Sequence, residues 1–382
     1  MMKTWSLFLI ALLAFAPAAS GRDLAREQTV GDLEVVATFN GPMPTGVAVS
    51  HTGRVFLNFP RWGEPVDFTV AELVKGKVVA YPDAAFNRLN PERPEQSLLS
   101  VQSVVIDPRD RLWILDTGAP SFGPVQPKAA KLVGVDLRTN QVFKTIFFPA
   151  EVALKTTYLN DVRFDLTRGP QGMAFITDSS GGGPNAIIVV DLASGRSWRR
   201  LNDHPSTKAD NTFVPIIEGE QVMIRIPGQA PKPWTSGADG IAISPDGKTL
   251  YYCPLVSRHL YSASVDALAD PSRSDAEVAA TVKDLGDKGA SDGLEADDQG
   301  RVYIGDYEHH AIRRRNLDGS TELLVVDPRV LWPDTLSLAA NGYLYFTANQ
   351  LTRGARFHSG KDLRQRPFVL FRVKTDGKPI MQ

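Results

Sequence analysis

The chain has 382 residues, of which 43% are hydrophobic and 22% charged, so it carries enough apolar material for a large core. Its formal net charge of −1 gives no electrostatic basis for binding nucleic acid or an anionic membrane. Its single cysteine, Cys253, excludes an intrachain disulfide and lies in an apolar stretch, where we expect it to be a small buried side chain.

The first residues have the pattern of a secretory signal peptide. Lys3 precedes an apolar run (residues 5–16) interrupted by Ser6, and small residues follow before Gly21. The run is shorter than the roughly 20 apolar residues that a membrane-spanning helix needs. We therefore expect residues 1–20 to be removed. The mature protein, residues 21–382, is then expected in the periplasm or the medium, without a membrane anchor.

A short sequence motif recurs six times after this segment. Each copy is an alternating apolar run that turns on a pair such as Asp246-Gly247 or Asn341-Gly342 and returns as a second alternating run. A period of two with Val, Ile, Tyr and Phe enrichment predicts strands, and these pairs predict tight hairpins. The copies span residues 44–59, 100–118, 158–179, 237–255, 291–307 and 333–350.

Further alternating runs follow most of these hairpins, so each repeat predicts a four-stranded meander. The sequence therefore predicts an all-β protein, a single six-bladed β-propeller domain of four-stranded antiparallel blades. The run Leu33–Phe39 is expected to complete the last blade and close the ring. A polar, proline-rich insert at about residues 202–236 is predicted between blades three and four, as a lid over one face or as a passive surface loop.

Polar residues recur where the repeats open and close. In a propeller, the start of the first strand and the end of the second lie at the same mouth of the central channel. First-strand openings supply Thr45, Gln102, Asn160, Asp161, Asp239, Asp292 and Asp334, and second-strand ends supply Asn58, Asp116, Asp178, Asp306 and Asn349. We therefore predict a mouth ringed by carboxylates and amides.

This ring has two interpretations. Oxygen-only clusters suit a hard divalent cation, with Ca²⁺ the expected ion. Asp and Asn at strand ends also commonly bond neighbouring backbone N–H groups and cap turns. The motifs HExxH, CxxC and GxSxG are missing from the sequence, and the glycines at 181–183 lack the GK[ST] of a phosphate loop, so no organic cofactor is expected.

Several phrases resemble the major royal jelly/Yellow protein family. They are LNDVRFD (159–165), FITDSS (175–180), DGIAISPDGKTLYYCPL (239–255), SDGLEADDQGRVYIGDYEHHAIRR (291–314) and WPDTLSLAANGYLYFTANQL (332–351). The likeness runs from about Val36 to Val373 and is to a bacterial-type member. It implies a secreted six-bladed propeller that binds a small molecule, such as an amine, in its channel.

The resemblance also implies ligand-binding positions. Thr335, Asn349 and Leu351 match amine-binding positions of the family, alongside Asp306. The aromatic body of a ligand would then lie against Tyr307 or Phe346. The mouth carboxylates Asp292 and Asp334 complete the predicted ligand-binding set.

A more distant likeness is to gluconolactonase/regucalcin-like propellers, which hold a divalent metal at the channel mouth through a Glu, two Asn and an Asp. Asn160 matches one Asn, and Asp239 matches the Asp that also serves as general base in those lactonases. Thr45 and Gln102 stand where the Glu and the other Asn would be. Because Thr replaces a carboxylate ligand, this metal would be held weakly.

Four hypotheses follow. The leading one is an exported propeller that binds a small aromatic or cationic ligand. The second is a metal-dependent lactonase, with Asn160, Asp239 and Gln102 as metal ligands and Asp239 as the catalytic base. The third is a metal-free dopachrome-type tautomerase or isomerase, and the fourth is a protein-interaction platform whose partners are unknown.

Overall fold

The computed structural model describes residues 29–381 and shows six four-stranded antiparallel sheets, the blades of a β-propeller. The predicted six-bladed all-β fold is confirmed. The predicted signal peptide, residues 1–20, lies outside the described residues. Between residues 29 and 381, no helix is both long enough and apolar enough to cross a bilayer.

The blades follow one another along the chain. The first strand, β1 (Glu34–Phe39), belongs to the last blade. Blade one consists of β2 (Gly46–Val49), β3 (Val55–Asn58), β4 (Val70–Val74) and β5 (Lys77–Ala80). Blade two consists of β6 (Val101–Ile106), β7 (Arg111–Asp116), β8 (Lys131–Asp136) and β9 (Gln141–Phe147). Blade three consists of β10 (Leu159–Asp165), β11 (Met173–Asp178), β12 (Ala186–Asp191) and β13 (Ser197–Arg200).

An insert separates blades three and four. It contains two short hairpins, formed by β14 (Ile216–Ile217) with β15 (Glu220–Gln221) and by β16 (Met223–Ile224) with β17 (Lys232–Pro233). Blade four consists of β18 (Ala238–Ile243), β19 (Thr249–Pro254), β20 (His259–Ser264) and β21 (Lys283–Asp287). Blade five consists of β22 (Ser291–Ala296), β23 (Val302–Asp306), β24 (Ala311–Arg315) and β25 (Thr321–Val326). Blade six consists of β26 (Trp332–Leu338), β27 (Tyr343–Asn349), β28 (Phe368–Lys374) and β1.

Helices are short and lie in the connections. The α-helices are α1 (Ala84–Asn87), α2 (Val265–Ala269) and α3 (Asp275–Ala279). The 3₁₀ turns are Pro94–Gln96, Pro120–Phe122, Pro205–Thr207, Leu351–Arg353 and Ala355–Phe357.

The ring closes through β1, as the sequence predicted. This strand pairs antiparallel with β28, so that Phe39 lies opposite Phe368. An ion pair between Glu34 Oε2 and Arg372 Nη2, 2.6 Å apart, joins the two ends of the chain at the same edge. The last blade is thus built from both ends of the described chain.

The hydrophobic core lies between adjacent blades. Alternating strand residues point to the two faces of each sheet, so every blade packs against both neighbours. Between blades two and three, for example, Trp113 stacks on Phe164 with ring centroids 5.1 Å apart, and Leu132, Val162 and Ile176 are fully buried around them. Six such interfaces hold the innermost strands in a ring around the channel.

Irregular pairing at the start of the innermost strands aims side chains at the channel mouth. The register of the first two strands shifts close to Gln102, Asn160, Asp239, Asp292 and Asp334, whereas blade one pairs regularly from Gly46 to Val49. A bulge bends a strand and re-aims its side chains. Five blades therefore present a polar side chain at the mouth, and blade one does not.

Two glycines allow these bulges to pack closely. A Cβ atom at Gly240 would collide with the carbonyl oxygen of Asp292, and one at Gly293 would collide with the carbonyl oxygen of Asp334. Each glycine follows the mouth aspartate of its own blade. The Asp-Gly pairs of blades four and five therefore combine a mouth carboxylate with the space that the next blade needs.

Candidate functional site

A cavity of about 540 Å³ lies at the channel mouth. The bulged openings of five blades line it with Gln102, Asn160, Asp239, Asp292 and Asp334. Its remaining walls come from loops above the blades and from the insert, which contributes residues of the β16–β17 hairpin. The sequence-predicted openings of blades two to six are thus brought together in one pocket.

One side of the cavity is an aromatic wall formed by Trp62, Phe122 and Tyr158. The Phe122 ring stacks against both other rings, with centroids 5.1 Å from Trp62 and 5.3 Å from Tyr158. Trp62 Nε1 donates a hydrogen bond to the Tyr158 hydroxyl, which in turn donates to Gln102 Oε1 at 2.9 Å. These bonds fix the wall in position, and stacked rings offer a flat apolar surface to a ligand.

Three carboxyl groups form an acidic floor, which we define as Asp239, Asp292 and Asp334. Their side chains come from adjacent blades, and the residues are only 3%, 6% and 4% exposed. Burial, followed by the negative charge of Asp292, raises the pKa of Asp239 well above its usual range. Burial likewise raises the pKa of Asp334 well above its ordinary value, and the charge of Asp292 adds to this shift.

Asp292 is the base of this group. Burial raises its pKa to about 6, while hydrogen bonds from the Asp239 carboxyl and from the Trp332 indole oppose the shift. Trp332 Nε1 donates to Asp292 Oδ2 at 2.6 Å. Asp239 and Asp292 therefore share a proton, as two close carboxyl groups do when they cannot both be ionised.

The acidic floor has no basic partner among residues 29–381, because none of its members forms an ion pair with Lys, Arg or His there. The neighbouring carboxylate Asp161 differs. It accepts a hydrogen bond from Arg163 Nη1 at 2.8 Å, and Arg163 Nη2 reaches across the channel to the carbonyl oxygen of Leu294 in blade five. Arg163 thus neutralises Asp161 and spans the channel below the mouth.

Several residues predicted to bind ligand lie outside the cavity. Asp306 accepts hydrogen bonds from the Glu308 backbone N–H and from Arg313 Nε, and it lies 2.9 Å from His309 Nδ1. Its carboxylate is therefore engaged in holding the turn after β23. Tyr307 is fully buried behind the cavity, where its ring stacks on Trp332 at 4.2 Å.

Only some of the predicted ligand-binding residues of blade six line the cavity. Leu351 and Asp334 line the cavity. Asn349 lies behind Asp334, to which its Nδ2 donates at 2.6 Å, while its Oδ1 accepts from the Leu351 backbone. Thr335 lines a smaller cavity of about 80 Å³ with residues such as Arg163, deeper in the channel. Asn349 therefore acts as a support, and Thr335 belongs to a different cavity.

The second-strand ends share a structural role. Asp116 accepts from the backbone N–H groups of Leu99 and Ser100, and it also pairs with the buried Lys131 at 2.9 Å. Asp178 similarly bonds the Tyr158 backbone and Arg199. These fully buried residues fasten the chain between blades, so the capping interpretation describes them better than the ligand-binding one.

The aromatic wall, Trp234 and Arg356 were not predicted from the sequence, although all line the cavity. Trp62, Phe122 and Arg356 come from loops in different repeats, which carry no periodic signal. Tyr158 stands two residues before Asn160, and this spacing was the one available clue. Trp332 opens the family-like motif of residues 332–351, and its hydrogen bond to Asp292 depends on the contact between two blades.

The donor set does not fit the calcium site expected from the lactonase-like propellers. Thr45 Oγ1 accepts from Asn58 Nδ2, Gln102 Oε1 accepts from Tyr158, and Asp239 is bonded to Asp292. Within the described range, 29–381, no three His, Cys, Asp or Glu side chains are arranged to hold a metal ion. The calcium hypothesis therefore stays a prediction, and the chemistry below uses the protein's own groups.

Comparisons with known proteins give a consistent result. The family model described as "Major royal jelly protein" matches residues 99–376. Major royal jelly protein 7 of Apis mellifera is 29% identical over 47% of this chain and 38% of its own length. Protein yellow of Drosophila madeirensis is 26% identical over 71% of this chain and 50% of its own length. The matches thus cover half or less of these relatives.

A solved structure shares the fold. It is a calcium-binding protein, regucalcin, from Agrobacterium tumefaciens, with a TM-score of 0.52 and 15% sequence identity. The alignment covers 91% of this chain and 98% of that structure. At this level of identity the likeness concerns the arrangement of blades alone.

Proposed function

The chain belongs to the major royal jelly protein family, and from this premise we propose that it is an exported propeller that binds a small aromatic cation at its channel mouth. The ammonium group of the ligand would lie on the acidic floor and its ring against the aromatic wall. The family and the fold alone do not identify a ligand, so the proposal depends on the chemistry of the cavity.

The observation that carries the proposal is the acidic floor without a basic partner. Burying carboxyl groups without a counter-charge costs free energy, and here the cost appears as raised pKa values. A protonated amine would supply the missing charge through short charge-assisted hydrogen bonds. The stacked rings of Phe122 and Tyr158 beside the floor would hold an aromatic body and favour a cation near their faces.

Calorimetric titration with benzylamine and with its neutral analogue benzyl alcohol tests this proposal. We expect saturable binding of benzylamine at one site, at least about tenfold tighter than benzyl alcohol, which corresponds to about 1.4 kcal/mol. Asp292→Asn should remove most of this preference, because it removes the ionised carboxylate of the acidic floor. The exposed Asp318, bonded to Ser320 on the opposite face of the propeller, provides the control Asp318→Asn, which should bind like the original protein. Equal affinity for amine and alcohol would refute the proposal.

A second candidate function is metal-free proton transfer, as in a tautomerase or isomerase. The observation that favours it is the hydrogen-bonded pair Asp239–Asp292, which presents a protonated acid beside a base whose pKa is about 6. Such a pair can deliver a proton to one atom of a ligand while it accepts a proton from another. An enzyme of this type exchanges deuterium from solvent into an enolisable substrate, so NMR of aryl pyruvates in D₂O distinguishes it from a binding protein.

Export is the part of the proposal that depends on residues 1–20. The charged start, apolar run and small residues before Gly21 support it. N-terminal sequencing of the protein recovered from the periplasm or medium of an expressing bacterium should give a start near Gly21. Recovery of the unprocessed chain in the cytoplasm would contradict the export proposal without affecting ligand binding.

A further inference from the structure

A second charged group, Arg356, lines the same cavity. It belongs to the 3₁₀ turn Ala355–Phe357, which follows the last blade's second strand. Its Cζ atom lies 4.9 Å from the ring centroid of Phe122 and 5.5 Å from that of Phe357. The turn is held from the insert side, because the Arg225 backbone N–H donates to the Arg356 carbonyl oxygen at 2.8 Å. The half-buried guanidinium is therefore positioned over the aromatic wall.

The Arg356 side chain makes no hydrogen bond or ion pair with any residue between 29 and 381. The neighbouring arginines, in contrast, have hydrogen-bond or ion-pair partners. Arg353 pairs with Glu218, and Arg225 donates to backbone carbonyl oxygens, including that of Phe357. Burial lowers the pKa of Arg356, although an arginine stays charged at physiological pH. Its planar set of N–H donors is thus directed into a pocket without a protein acceptor.

The acidic floor and Arg356 do not neutralise each other. Within residues 29–381, no ion pair joins Arg356 to Asp239, Asp292 or Asp334. The Tyr158 hydroxyl responds to charges at both ends. Burial raises the pKa of its hydroxyl; Asp239 and Asp334 raise it further, while Arg356 lowers it. Since Tyr158 stacks on Phe122 and the Arg356 guanidinium lies against Phe122, aromatic rings line the cavity between the anionic end and the cationic end.

We infer that the cavity takes an amphoteric ligand whose ammonium and carboxylate groups flank an aromatic ring, with the ammonium on the acidic floor and the carboxylate on Arg356. The inference rests on the proposed amine site and adds an anion-binding end to it. A guanidinium recognises a carboxylate through two parallel hydrogen bonds, which fixes the direction of the ligand as well as its affinity. Opposite charges at the two ends also select against simple amines.

The matched probes are para-aminomethylbenzoate and benzylamine, which differ by one carboxylate across the same ring. Calorimetry should show the amphoteric compound binding about tenfold tighter, equivalent to about 1.4 kcal/mol. Arg356→Gln should abolish this advantage while benzylamine binds at least as well as before, because a like charge has been removed. Arg356→Lys should keep part of the advantage, which separates loss of charge from loss of folding.

Lys155 provides the matched control. It is an exposed cation at the rim of the same cavity, and Lys155→Gln should leave the advantage intact. If benzylamine binds but the added carboxylate brings no gain, or if the gain survives Arg356→Gln, the inference is wrong and the amine site stands. If neither compound binds, the proposed function itself fails.

Discussion

Replacement of Asp292 by Asn should stabilise the protein at neutral and alkaline pH. Asn can still accept the Trp332 N–H bond through Oδ1, and its amide can donate to Asp239, so the local contacts survive. What disappears is a buried acid that must ionise. The pKa of Asp292 is about 6 in the folded protein and ordinarily 3.8. This difference of about two units corresponds to at most about 3 kcal/mol of lost stability.

The direction in which stability changes with pH follows from proton binding. Because the folded state holds the Asp292 proton more tightly than the unfolded state, stability falls as the pH rises from near 3.8 through about 6. Asp292→Asn removes this loss, so the variant should be more stable than the original protein at about pH 8 and within about 1 kcal/mol of it at about pH 4. The expected gain at the higher pH is on the order of 2 to 3 kcal/mol.

Thermal unfolding followed by circular dichroism at both pH values measures this effect. The buffer should contain a chelator and no amines, because a bound cation would hide the destabilisation caused by ionised Asp292. Asp318→Asn is the control, since this exposed aspartate only caps a turn with Ser320. A variant that is less stable than the original protein by the same amount at both pH values would refute the argument. That outcome would mean that the Asp292 contacts stabilise the fold more than its buried charge destabilises it.

Three further predictions follow from the same structure. The affinity for benzylamine should fall as the pH drops through about 6, because Asp292 must be ionised to bind the amine. Calorimetry from pH 5 to 8 measures this, and an affinity that does not change with pH would contradict it. Lys131→Met should destabilise the protein by about 3 kcal/mol in chemical unfolding, because it leaves the fully buried Asp116 carboxylate without its cation. An unchanged free energy of unfolding would show that the backbone N–H bonds to Asp116 are enough to stabilise its charge. Calcium or EDTA should leave the melting temperature unchanged, because Gln102 and Thr45 already accept protein hydrogen bonds. A clear rise of the melting temperature with calcium would support the metal hypothesis instead.

The fold could be predicted because its information is local and repeated. Each blade carries its own alternation, hairpin turn and strand lengths, and six copies leave few alternatives to a propeller. Even the closing strand was predicted, since Leu33–Phe39 has strand character, and it pairs with the last strand of blade six. The gathering of Asn160, Asp239 and Asp292 at one mouth followed from the same repeat, because equivalent positions of a symmetric fold meet around its axis.

The direction and chemistry of these side chains required the tertiary structure. Asp306 and Asp292 come from the two ends of one hairpin, yet the bulge turns Asp292 into the cavity while Asp306 pairs with Arg313. The bulge depends on space left by a glycine of the neighbouring blade, which the local pattern does not encode. Consequently the sequence indicated which residues reach the mouth and could not tell binding groups from supports.

The blades, their order and the polar character of the mouth could therefore be inferred from the sequence, because short-range alternation specifies strands and repetition specifies the ring. The chemistry of the site arises in the folded protein. The shared proton of Asp239 and Asp292, and the position of Arg356 over Phe122, arise from contacts between residues far apart in the chain. Burial and charge at such contacts set pKa values and ligand preference, and these depend on three-dimensional neighbours.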